Sequence, residues 1–197
     1  PQFAAGVGFD TNANASTGDN RFLFFLLDDR NVETDSPTYF ATLGDYYSRP
    51  LTANTKLILT GAIGQKNYPD ASFVDATNVN ANVGLEYNNG DTKFMPTLVT
   101  SYNWLDGDKN LGRVGLDLLG HHSIADDWKL IGGVSGIAHR YDGVLEVRDV
   151  DIYDLRAGFE HYLNPQTGSS LSLMVSAGTD KAKNSDSIFE NGHWNVS

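Results

Sequence analysis

The chain holds no cysteine in 197 residues. That removes disulfide staples, thiolate nucleophiles and cysteine-ligated zinc or iron–sulfur centres. Long apolar runs are missing as well. A membrane helix needs roughly 18 or more consecutive apolar residues, and the nearest stretch, Phe22 to Leu27 in RFLFFLLDDR, ends after six between charged neighbours. Basic charge is scarce: 14 Lys and Arg stand against 25 Asp and Glu, for a formal net charge of −11. A nucleic-acid partner needs a basic footprint, so none is expected. Helical signals are absent too, because no 3.6-residue apolar stripe carries caps at both ends.

What the chain does have favours strands and turns: 20 Gly, nine Tyr and ten Phe. TNVNANVGLEY sets Val79, Ala81, Val83, Leu85 and Tyr87 against Asn78, Asn80, Asn82, Gly84 and Glu86. A strand turns those two sets to opposite faces. The same alternation returns in FAAGVGF, TKLILTGAIG, FMPTLVTSYNW, RVGLDLLG, WKLIGGVSGIAHR, IYDLRAGFEHY and SLSLMVSAGTD. Strands are predicted over 2–10, 38–48, 55–66, 76–87, 93–104, 111–121, 128–140, 150–162 and 169–180, with a tenth starting near His193.

The connections choose between architectures. SRPLTANT (48–55), NNGD (88–91), HHSIADD (121–127) and LNPQTGS (163–169) are compact, and Asn89–Gly90 is a strong hairpin signal. Between them lie longer polar segments at 10–37, 65–76, 105–110, 140–149 and 180–192, the third being only moderately long. A β-sandwich breaks hairpin order with Greek-key crossings. An up-and-down outer-membrane barrel alternates short periplasmic turns with longer extracellular loops. The expected fold is therefore an all-β, antiparallel up-and-down transmembrane β-barrel over 1–197, with a soluble all-β domain as the alternative. Aromatics near the strand ends fit two interfacial belts: Tyr46, Tyr47, Tyr87, Phe94, Trp128 and Tyr162 beside the compact turns, and Tyr68, Tyr102, Trp104 and Tyr141 near the long loops. In such a barrel Arg113, Asp117, Asp154, Arg156 and Glu160 would line a wet lumen. There they would act as a selectivity ring or a latch, or as a structural ion-pair network.

GVGFDTNANAS (6–16), YYSRPLTANTKL (46–57), YPDASFVDAT (68–77) and LDGDKNLGRVGLDL (105–118) resemble the barrel portion of tetratricopeptide-repeat outer-membrane proteins. That group includes barrels similar to the surface lipoprotein assembly modifier family. The resemblance implies a location in the outer membrane of a Gram-negative bacterium. It also implies contact with outer-membrane lipid and a translocation or export passage for a secreted protein or polysaccharide cargo. Barrels of this kind end in a strand closing on an aromatic residue. HWNVS does not, so the sequence is expected to be a fragment, with helical repeats before Pro1 and further strands after Ser197.

Other constellations point to less. Asp106, Asp108 and Asn110 begin with calcium-loop spacing, but Leu111 stands where such loops need Gly, and Asp117 where they need Glu. A solvated loop is the expectation there, and DTNAN (10–14) reads as a strand end and turn. His121 and His122 are adjacent and read as turn histidines, not as ligands of one ion. His193, Asn195 and Ser197 share a face by period 2, as an outer-membrane lipid hydrolase would require. No base within reach or oxyanion site can be argued for them. The expectation is a non-enzyme without cofactor or metal, with a structural barrel or a lipid hydrolase as alternatives. FLFFLLDD, Phe22 to Asp29, is read as a strand extension above the membrane, with a loop helix that plugs or covers the mouth as the alternative.

Overall fold

The computed structural model describes residues 1–15, 21–22, 25–26, 32–164, 169–184 and 191–196. Period-2 alternation becomes strand throughout. The strands are β1 (Gln2–Asp10), β2 (Arg21–Phe22), β3 (Phe25–Leu26), β4 (Ser36–Pro50), β5 (Thr55–Asn67), β6 (Ala76–Asn88) and β7 (Thr92–Leu105). They continue with β8 (Asp108–Ala125), β9 (Trp128–Tyr141), β10 (Val150–Asn164), β11 (Ser169–Ala182) and β12 (Asn191–Val196). Ten of them form one sheet in the order β1-β4-β5-β6-β7-β8-β9-β10-β11-β12. Its edge ladders are antiparallel, β1 with β4 starting at Gln2↔Gly44 and β11 with β12 ending at Asp180↔Asn191. The expected up-and-down all-β meander is thus the observed one. Helix among the described residues is confined to short 3-10 turns at Ser72–Val74 and Gly143–Arg148.

Several sequence expectations need correction. The segment 105–110 is no loop: β7 and β8 meet through Asp106 and Gly107, at φ 51° and 81°. Both residues sit in the left-handed region that a two-residue primed turn demands. No room remains there for a twelve-residue calcium loop. His121 and His122 lie inside β8, four and three residues before its end, and not in a turn. Of the apolar run near Phe22, the described residues Arg21–Phe22 and Phe25–Leu26 pair with each other, Arg21↔Leu26 and Phe22↔Phe25, in a sheet separate from the main one, and the rest of the run lies outside the described residues. At DTNAN the turn reading holds. The Asp10 carboxylate accepts from the Asn12 amide at 3.1 Å, and Asn14 bonds Val32 and Thr34 at 2.6 and 3.2 Å.

Packing gathers the chain into two compact units. One comprises Pro1–Asp45, Gly61–Asn80 and Tyr102–Asn110, the other Tyr46–Thr60, Ala81–Ser101 and Leu111–Ser197. In the first, Tyr68 and Ala71 are buried beside the fully buried Ser36, whose hydroxyl accepts from the Asp70 amide at 3.2 Å. The Asp75 carboxylate accepts from the Tyr68 amide at 2.6 Å, and its carbonyl from the Asp106 amide at 2.9 Å. Tyr68 therefore closes a loop knot and is not part of an aromatic belt.

In the second unit the faces of the sheet are inverted relative to a soluble protein. Val83, Leu85 and Tyr87 of β6 are exposed, while the alternate Gly84 and Glu86 are buried. Tyr153 and Leu155 of β10 are exposed as well, Leu155 at 63%. Only Tyr68, Ala71, Leu111 and Val150 are buried hydrophobics among the described residues. A second layer covering these stripes, as a sandwich requires, is not what the exposures show.

Candidate functional site

The second unit's polar face is built by the strands that flank the compact turns. Period 2 and the exposure of Val114, Leu116, Val134, Tyr153 and Leu155 fix which side chains share it. Arg113 and Asp117 of β8 and Asp154, Arg156 and Glu160 of β10 all fall on that face, as their sequence positions predict. Register brings some of them together. Asp117 and Asp154 both pair with Ser135 of β9, so the three residues form one line across three strands.

Arg156 reaches over β9 and makes an ion pair with Asp117. It crosses beside Gly133, where a Cβ would meet the Arg156 Nε at an ordinary 3.5 Å but would crowd the Leu118 carbonyl oxygen at 2.9 Å. Glu160 belongs to a different group. It accepts from the Ser170 hydroxyl at 2.7 Å and from the Tyr162 hydroxyl at 3.0 Å. Arg113 pairs in register with His139 and makes no ion pair among the described residues. The five residues therefore share a face but not a single cluster.

Sequence reasoning missed a second set. Glu86 of β6 is 7% exposed, and Lys56 of β5 and Lys93 of β7 each approach its carboxylate at 2.8 Å. A buried carboxylate held this way keeps its charge compensated on both sides. On β9, Lys129 donates to the Tyr162 hydroxyl at 2.9 Å. Tyr162 thus belongs to the polar face, not to an interfacial belt. Lys56, Lys93 and Lys129 are each the second residue of a strand leaving a compact turn, and Ser170 holds the same place on β11. Thr-Lys, Thr-Lys and Trp-Lys at those three points were the available signal.

The apolar face carries aromatics at strand ends. Trp128 stacks on His161 with centroids 4.4 Å apart and tilts against Phe159 at 5.4 Å. At the end of β7, Tyr102 and Trp104 lie 5.8 Å apart. His121 and His122 are split between the faces. His122 bonds the Thr92 hydroxyl at 2.9 Å, while His121 turns to the polar face. Asn191–Val196 is paired as β12, while Ser197 lies outside the described residues, as do the side chains of His193 and Asn195.

An antiparallel meander with exposed apolar stripes, a polar reverse and aromatic strand ends defines the outer-membrane β-barrel class of fold. The comparisons agree at that level: the chain is similar to OmpT (in-vitro folded), an outer membrane protein of Vibrio cholerae. Identity is 14%, the TM-score is 0.53, and the match covers 98% of this chain and 74% of that one. No family model matches the chain, and neither does any curated protein. The likeness carries an outer-membrane barrel fold and does not extend to the assembly modifier family. It also corrects one expectation. The non-enzyme expectation rested on the want of a base or an oxyanion site around His193, Asn195 and Ser197, whose side chains lie outside the described residues, and a fold shared with this outer-membrane protein says nothing against catalysis, because fold and activity are separable. That reading is withdrawn.

Proposed function

We propose that the chain forms an outer-membrane β-barrel domain of a Gram-negative bacterium, its apolar face against lipid and its polar face lining an aqueous passage. The observation that carries this is the inverted burial: Leu155, Leu171 and Val114 exposed, Glu86 and Ser135 buried. In water, bare apolar stripes forgo about 25 cal/mol for each Å² left uncovered. In a bilayer the same stripes are solvated, and the sheet satisfies its backbone amides internally. Arg113, Asp117, Asp154, Arg156 and Glu160 then stand in the lumen.

The resemblance of residues 6–16, 46–57, 68–77 and 105–118 to tetratricopeptide-repeat outer-membrane proteins supports an export role for this passage, with protein or polysaccharide as cargo. Reconstitution tests the reading. The chain refolded from urea should need detergent or lipid to remain monodisperse. In planar bilayers it should give stepwise ion conductance. A monodisperse folded chain in plain buffer, or a sealed bilayer at every protein dose, overturns it.

A further inference from the structure

A cavity of about 240 Å³ opens on the second unit beside the compact turn between β4 and β5. Thr52 and Asn54 of that turn line it, with Lys56 at the start of β5 and Glu86 and Asn88 at the end of β6. Two neutral groups at its rim already have an acceptor engaged. The Asn54 backbone amide donates to the Thr52 hydroxyl oxygen at 3.3 Å, and the Gly90 amide donates to the Asn88 side-chain carbonyl at 2.9 Å. That leaves the Thr52 O–H and the Asn88 amide N–H bonds as donors.

The charges in the cavity lean the same way. Glu86 is the one carboxylate among the described residues that line it, and Lys56 and Lys93 each hold one of its oxygens at 2.8 Å. Two ammonium groups against one carboxylate leave that group with a surplus positive charge. The acid is hidden, at 8% side-chain exposure, while Lys56 is open, at 42%. The Lys56 ammonium has three N–H bonds, and Glu86 takes one. A cavity that offers donors and a surplus cation suits an oxyanion, because charge-assisted hydrogen bonds are the strong ones. One surplus charge matches a carboxylate better than a phosphate dianion. The space equals about eight waters at roughly 30 Å³ each, enough for a single sugar-sized solute.

We propose that this cavity binds a small carboxylate solute of sugar-acid size, its carboxylate facing Lys56 and the donors of Thr52 and Asn88. The site rests on the reading of the polar face as wetted, but it needs no continuous passage. The chain, refolded in a zwitterionic detergent, is titrated in a calorimeter with sodium glucuronate, glucose and sodium phosphate at constant ionic strength. Glucuronate should bind saturably at a single site. Glucose, which lacks the carboxylate, should not bind, and phosphate should bind more weakly. Asn88→Asp keeps an acceptor for the Gly90 amide but replaces the donors with negative charge. It should weaken glucuronate binding by about tenfold or more, the worth of one charged hydrogen bond. Lys56→Met leaves Glu86 paired with Lys93 and should weaken binding as well. Lys183→Gln, beyond the far end of β11, should leave it unchanged. Glucose that binds as well as glucuronate overturns the site, as does phosphate that binds more tightly. So does an affinity that neither Asn88→Asp nor Lys56→Met alters. Bilayer conductance without glucuronate binding sinks the site and spares the passage. Glucuronate binding without conductance supports the site and sinks the passage.

Discussion

Asp117 and Arg156 lie 39 positions apart on strands that are not neighbours, and the arginine side chain joins them by reaching across β9. Both remain partly wet, at 33% and 27% side-chain exposure, so their coupling belongs at the low end of the range for contacting residues. A double-mutant cycle with Asp117→Asn and Arg156→Gln should return about 1 kcal/mol of coupling in urea unfolding from lipid vesicles. Additive single effects would mean the pair is ornamental. Glu86 makes a sharper case. Removing a buried acid leaves two lysines facing each other, whereas removing either lysine leaves the other still paired. Glu86→Gln should therefore lower the urea midpoint more than Lys56→Gln or Lys93→Gln does. The reverse order would show that the lysines are held by something else.

Strands were readable because a strand writes its own faces into sequence: Val83 and Leu85 against Gly84 and Glu86 need no neighbour to be seen. Register is different. It is set between strands, so nothing in β5, β6 or β7 taken singly says that Lys56, Glu86 and Lys93 meet. The lumen-facing candidates on β8 and β10 were found by parity alone, and parity could not tell that Arg156 pairs with Asp117 while Arg113 pairs with neither acid. β8 was also the worst-bounded strand, predicted as 111–121 and observed as Asp108–Ala125. Polar residues at both its ends, DKN and HHS, look like loop, yet they are strand tails beyond the apolar stripe. The Asp-Gly dipeptide at 106–107 was the overlooked cue. Gly107 at φ 81° holds a left-handed backbone that L side chains rarely adopt, although a Cβ there would meet nothing within 4 Å, so Gly107→Ala should cost about 1 kcal/mol in the same unfolding assay. Gly90→Ala, at φ 98° in the turn between β6 and β7, should cost a similar amount. A neutral result at both positions would mean that these turns relax freely.

The role of the whole molecule depends on what solvates the exposed stripes. Their composition is compatible with two media, water and lipid, and these predict opposite outcomes for one substitution. Leu155 is 63% exposed in the middle of β10. On a water-facing surface, Leu155→Arg changes stability by no more than about 0.5 kcal/mol. At a bilayer midplane a lipid-facing arginine costs about 2–4 kcal/mol, falling toward zero near the interfaces. Leu171, 62% exposed but only two residues into β11, should then tolerate arginine better than Leu155 does. On the other face, Ser176→Asn sits opposite Arg156 in register and should be mild in either medium. Measured as urea unfolding from vesicles, a cost that grows from Leu171 to Leu155 and is small at Ser176 identifies acyl chains as the solvent of the apolar face. A flat profile across the three positions identifies water, and with water on that face no aqueous passage could lie behind it.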